Sequence, residues 1–224
     1  WSAPTIDANR RLLYVATGNA YSAPATSSSD AVVALDLATG AIRWTRQVTA
    51  NDVYVSSCRA GNPNCPESVG PDFDFGSPPV LARAGGRDVI VIGQKSGVAF
   101  AMDPEKNGEI LWQYRAGLGS ALGGIEWGAA TDGEHAYFAV SDIQTKQPGG
   151  LHAVNLATGT RAWFTAPPAP TCGSVPGCNG AQSAAVTAIA GAVFSGSNDG
   201  SFGRIRRRRA KCCGNTSPAG RCSE

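Results

Sequence analysis

Hydrophobic positions along this chain fall in short runs of four to seven residues separated by glycine turns, the spacing of strands rather than helices. Three segments repeat one pattern: "ALDLATGAIRW" (34–44), "AMDPEKNGEILW" (101–112) and "AVNLATGTRAW" (153–163). Each reads Ala-x-Asp/Asn, a glycine turn, then Trp. An apolar run leads into each, "AVVALDL", "VAFAMD" and "GLHAVNL". Further upstream lie runs of small residues, "SAPTI", "SPPVL", "GAATD" and "SAAVTAI". A stronger strand follows each of these: "RLLYVATG", "DVIVIGQ", "HAYFAVS" and "AVFSGS". One unit is therefore four antiparallel strands, recurring at roughly 50-residue spacing, the signature of a β-propeller. The expected fold is all-β, a partial propeller with blades at 1–48, 75–116 and 127–166 and half a blade at 182–200. Small residues suit the innermost strand, where blades crowd the axis. Trp44, Trp112 and Trp163 are expected to pack between blades.

Past "VFSGSNDG" the pattern stops. Residues 201–224 show no alternation, no Ala-x-Asp and no Trp. They read as an aberrant basic tail, a translated frameshift or junction, with a nucleic-acid-binding arm as the functional alternative. The tail holds seven Lys/Arg and one acid, leaving 12 basic against 16 acidic residues elsewhere. The mildly acidic body argues against a nucleic-acid partner. No run of eighteen apolar residues spans a membrane. The chain opens on Trp1, and its one methionine is Met102. It reads as an internal fragment, expected to be poorly soluble and inactive alone because an open ring leaves sheet edges unpaired.

Four cysteines lie in two Gly/Pro/Asn loops, Cys58 with Cys65 and Cys172 with Cys178. Each pair suits a local disulfide and an oxidising compartment, periplasmic or secreted. Zinc is the rival, but no histidine lies near either pair.

Strand parity gathers one set of loops on one face. The starts of first strands and the ends of second strands meet there. That face carries Trp1, "DFDFG" with Asp72 and Asp74, Glu126, Trp127, Gln182, Asn19, Lys95, Asp142, Asn198 and Asp199. Hard oxygens, flat indoles and a lysine suit a planar polar cofactor beside a hard cation. Bland readings stand beside these. Asn19 turns a hairpin, Lys95 is a solvated turn residue, and Trp127 is a core aromatic. Asp142, Asn198 and Asp199 are read as turn residues. His152 and His135 lack ligand spacing.

The Ala-x-Asp-x-x-x-Gly-x-x-x-Trp repeat resembles the tryptophan-docking motif of the quinoprotein alcohol dehydrogenases. Within that family, "WSAPTID", "YVATGNAYS", "GPDFDFGSPPVL" and "GGIEWGAATDG" are most similar to the polyvinyl-alcohol-oxidising branch. The resemblance covers residues 1–200. It implies an eight-bladed propeller when complete, holding pyrroloquinoline quinone (PQQ) and calcium. It implies Trp1 under the quinone ring, Asn19 as a calcium ligand and Lys95 against the quinone, with Trp127 at a later cofactor-facing position. Asp74 is implied as catalytic base and calcium neighbour, with Asp72 as the alternative. The family's calcium-binding glutamate and vicinal cysteine pair belong upstream, so Cys212–Cys213 is not that pair. No Cys-x-x-Cys-His is present for haem. An alcohol substrate and an electron acceptor such as a cytochrome c are the implied partners. The rival function is a non-catalytic propeller, an envelope binding or assembly scaffold, since the docking motif alone carries only the fold. A third reading is a hydrolase using Asp72 and Asp74.

Overall fold

The structure, a computed structural model, describes residues 2–56, 58, 62–63, 65–206 and 212–215. It consists of four four-stranded antiparallel sheets, each built from consecutive strands. Blade 1 holds β1 (Thr5–Asp7), β2 (Leu12–Ala16), β3 (Ala31–Asp36) and β4 (Ile42–Gln47). Blade 2 holds β5 (Val80–Ala84), β6 (Arg87–Gly93), β7 (Val98–Asp103) and β8 (Glu109–Arg115). Blade 3 holds β9 (Ala130–Thr131), β10 (His135–Ala139), β11 (Leu151–Asn155) and β12 (Arg161–Thr165). Blade 4 holds β13 (Thr187–Ile189), β14 (Ala192–Gly196), β15 (Phe202–Arg206) and β16 (Cys212–Asn215). The first strands β1, β5, β9 and β13 touch in succession, so the blades stand side by side around an arc.

The fourth blade differs from the sequence expectation. The propeller was expected to stop at residue 200, yet β15 and β16 complete the sheet inside the segment read as a tail. Five residue pairs join β14 to β15, and Ile205 is buried in the core between blades 3 and 4. One apolar residue at the correct parity suffices for that strand, and a search for an Ala-x-Asp repeat passes over it.

The repeat has a physical basis in each blade. The Asp/Asn of the motif caps its own turn. Asp36 accepts the N–H groups of Ala38 and Thr39, both at 3.0 Å. Asn155 accepts those of Ala157 and Thr158, also at 3.0 Å. Asp103 accepts Glu105 N–H at 2.9 Å and leads into a 3-10 turn, Pro104–Lys106. A register shift falls at the same place in three blades, between Ala34 and Leu35, Ala101 and Met102, and Ala153 and Val154. It turns each tryptophan toward the neighbouring blade.

There the indoles meet glycine. A Cβ on Gly108 would lie 2.7 Å from the Trp44 ring, and one on Gly159 would lie 2.6 Å from Trp112. Trp112 also donates to Leu156 O at 3.0 Å. The glycines of these turns, φ +69° and +73°, thus serve both the left-handed backbone and the close approach of the ring. Three interblade cores result. Tyr14, Val32, Trp44, Phe75, Ile92 and Met102 lie in the first. Val91, Trp112, Ile125 and Phe138 lie in the second, and Tyr137, Leu151 and Val193 in the third.

Both expected disulfides are present, Cys58–Cys65 and Cys172–Cys178, with Cα atoms 5.4 and 5.8 Å apart. Among the described residues no helix is long and apolar enough to cross a membrane.

Candidate functional site

The loop at 70–77 is stitched between blades 1 and 2. Phe75 N–H donates to Thr17 O at 3.2 Å, and Lys95 N–H donates to Asp74 O at 3.0 Å. Phe75 itself is fully buried in the first interblade core. That anchor fixes the two aspartates beside it. Asp74 packs on Gly18 so closely that a Cβ there would lie 2.3 Å from Asp74 Oδ1. The same oxygen accepts Asn19 N–H at 2.8 Å.

Asp72 and Asp74 lie on the same side of the loop. The loop is not a strand, and Asp72 has φ +61°. Both acids converge on one lysine. Lys95 Nζ donates to Asp74 Oδ2 at 2.7 Å and to Asp72 Oδ2 at 3.2 Å. Asp72, Asp74 and Lys95 are all buried. Burial pushes Asp72 up to about 6, against the attraction of Lys95. Burial would lower Lys95, but its hydrogen bond to Asp74 and the charges of both aspartates hold it above the ordinary lysine value.

Asn19 is oriented by its amide nitrogen. Nδ2 donates to Ala20 O at 2.6 Å and to Tyr54 O at 2.7 Å. These carbonyls flank the short parallel bridge between Ala20 and Val53. The side-chain oxygen, a hard donor, is left for another partner.

Two buried acids here escaped the sequence reading. Asp52 accepts the N–H groups of Asp72 at 3.1 Å and Phe73 at 2.7 Å, holding the loop by its backbone. Asp30 is fully buried, and neither of its carboxylate oxygens has a hydrogen-bond partner. Burial first, then the charges of Asp52, Asp74 and Asp72, push it up to about 8. Neither acid belongs to the repeat, and each stands among turn-forming residues, "SSSD" and "TAND", so no pattern marked them.

Glu126 completes the group. Its loop is pressed onto blade 2, with Ile125 N–H donating to Gln94 O at 3.1 Å and Gly124 lying against Lys95 O. Burial raises the Glu126 carboxyl, with Lys95 opposing. Trp127, half-buried, is its neighbour in sequence. Trp1 lies outside the described residues.

The remaining residues of this face serve the scaffold. Asp142 accepts Leu118, Gly119 and Gly124 N–H at 2.7, 3.0 and 2.6 Å, organising the loop that leads to Glu126. Asp199 accepts hydrogen bonds from Ser197, Ser201 and Thr171, and against burial these bonds, that of Ser197 first, keep it well below the usual carboxylate range. Gln182 accepts from Ser195 at 2.6 Å. Cavities of about 660 and 310 Å³ lie in blades 2–3 and 3–4, and neither is lined by Asp72, Asp74 or Lys95. The chemistry thus gathers where five buried carboxylates, Asp30, Asp52, Asp72, Asp74 and Glu126, surround one buried lysine.

The PQQ-repeat family described as "Outer membrane protein assembly factor BamB" matches residues 2–217. The chain belongs to this propeller family. Polyvinylalcohol dehydrogenase from Pseudomonas sp is 48% identical over 207 residues, covering 90% of this chain and 32% of the relative. Polyvinylalcohol dehydrogenase from Sphingopyxis sp. (strain 113P3) is 44% identical over 212 residues, with the same coverage of 90% and 32%. The chain therefore spans about a third of the length of these curated relatives. In fold it is similar to quinohemoprotein alcohol dehydrogenase from Comamonas testosteroni, with TM-score 0.66 and 17% identity, covering 96% of this chain and 40% of that one.

Proposed function

We propose that this chain carries part of the active site of a PQQ- and calcium-dependent dehydrogenase acting on secondary, including polymeric, alcohols. The observation that carries the reading is the excess of buried acids over bases. Asp72 and Asp74 share one lysine while Asp30, Asp52 and Glu126 lie buried nearby, and buried acids without cationic partners are costly to ionise. A hard divalent cation answers that excess, and the oriented oxygen of Asn19 beside Asp74 supplies ligands of the right chemistry.

In this reading Asn19 and Asp74 hold the cation. Lys95 and Trp127 would hold the planar cofactor, the lysine by charge and the indole by its face, with Trp1, outside the described residues, as the further member that the resemblance implies. When bound, the quinone supplies the hydride acceptor and the cation the Lewis acid. The chain's own residues move the proton. Asp74 has both oxygens committed, to Asn19 N–H and to Lys95. Asp72 gives only Oδ2 to Lys95 and keeps Oδ1 open. We assign the alcohol proton to Asp72 as general base, reversing the preference for Asp74 that the sequence suggested. Asp52 and the φ of Asp72 hold that open oxygen in place. An electron acceptor such as a cytochrome c and a periplasmic or secreted location complete the proposal, and the two disulfides support an oxidising compartment.

In the full-length protein supplied with PQQ and calcium, Asp72→Asn should lower kcat for dye-linked alcohol oxidation by about a hundredfold or more with little change in calcium affinity. Asp74→Asn should instead weaken calcium binding. Retained turnover in Asp72→Asn would return the base to Asp74. The second reading, an envelope assembly scaffold, is favoured by the description of the matching family. A scaffold gains nothing from this buried acidic group.

A further inference from the structure

The buried acid that the proposed chemistry leaves unused is Asp30. It lies at the end of the β2–β3 ladder. Tyr14 faces Ala34 and Ala16 faces Val32 across the two strands. Past the end of the ladder, Asp30 N–H donates to Gly18 O at 2.9 Å. Alternate residues of a strand share one face. Tyr14, Ala16, Val32 and Ala34 belong to the core shared with blade 2. Asp30 lies just outside β3 with φ +47°, so it is placed not by alternation but by its bond to Gly18, the residue over which Asp74 packs. The nearby charges are Asp52, Asp72 and Asp74 on one side of the ledger and Lys95 on the other, and Lys95 bonds the last two of these acids.

A fully buried carboxylate with two unpartnered oxygens is rare, because desolvation without hydrogen bonds is costly. Serine, threonine and asparagine all lie in the adjoining loops, and none donates to Asp30 among the described residues.

We infer that Asp30 is an outer carboxylate of the cation site, a positioning residue that adds negative charge behind Asn19 and Asp74 and so raises affinity for a hard cation. This rests on the reading that Asn19 and Asp74 hold such a cation. Asp30 is not itself a direct ligand in this proposal, because among the described residues no three acids, histidines or cysteines are grouped closely enough to hold an ion. Its action is electrostatic, and its effect grows with the charge of the ion.

The test is cation titration of the full-length, PQQ-loaded protein by calorimetry, with calcium and separately with terbium(III). Asp30→Asn keeps the shape and removes the charge. The expected result is about tenfold weaker calcium binding, within the range for groups outside the direct ligands, and a larger loss for terbium(III). Before any cation is added, Asp30→Asn should melt no lower than the wild type. Should that variant fail to fold, Asp30→Ser gives the same readout. Equal calcium affinity in variant and wild type would overturn the inference, as would equal losses for the two ions, which indicate a loosened structure. A wild-type protein that binds neither ion would instead overturn the cation reading itself.

Discussion

His152 shows how a single buried group sets the behaviour of its surroundings. It lies on β11, with Nδ1 2.8 Å from the Tyr114 hydroxyl and its ring 4.6 Å from Phe164. Burial, helped by the charge of Arg161, lowers its pKa to about 4. The folded state therefore keeps His152 neutral where the unfolded chain, near 6.5, takes a proton. The depressed value gives stability that is fully present above about 6.5 and is lost as pH falls toward 4. The full difference is about 3 kcal/mol at most. Urea melts at pH 7.5 and 4.5 check this. His152→Gln should narrow the gap between the two conditions, and an unchanged gap would place the acid sensitivity elsewhere. The acids of the candidate site show the same dependence of chemistry on surroundings. Asp72 stands in a left-handed turn, and that turn is held by Asp52, 20 residues upstream.

At the scale of elements, the docking of Trp44 and Trp112 on glycine turns joins neighbouring blades. Gly159→Ala should test that contact directly. Its φ of +73° already disfavours a side chain, and a Cβ there would meet Trp112 at 2.6 Å. Gly133 has φ +89° and nothing within 4 Å, so Gly133→Ala measures the backbone cost alone. The expected losses are about 1–2 kcal/mol at Gly133 from the left-handed backbone and about 2–4 kcal/mol at Gly159, where overpacking adds. Urea denaturation reads both, and equal losses would mean that the indole yields freely. These elements were legible in the sequence because their causes are local. The turn cap, the glycine and the indole lie within eleven residues of one another. The last strands of blade 4 were not legible, since β15 carries no capping Asp, no glycine turn of the repeat and no Trp.

The whole molecule accounts for what the sequence left out of the site. Asn19, Asp74 and Lys95 stood out because each lies in a loop on the face that strand parity gathers, and the fold does bring them together. Asp30, Asp52 and the convergence of Asp72 on Lys95 depend on contacts between blades and on an irregular loop, which no periodicity encodes. Gln182, Asp142 and Asp199 share the face but spend their polar atoms on its loops. Five buried acids about one lysine remain, and the central claim is that this group binds PQQ with a divalent cation. The most direct measurement is an absorbance titration of the full-length protein with PQQ, with calcium present and after chelation. Saturable PQQ binding that requires calcium, and that weakens in Asp74→Asn, is the expected result. Failure to take up PQQ with calcium present would contradict the account and favour a propeller that binds other partners.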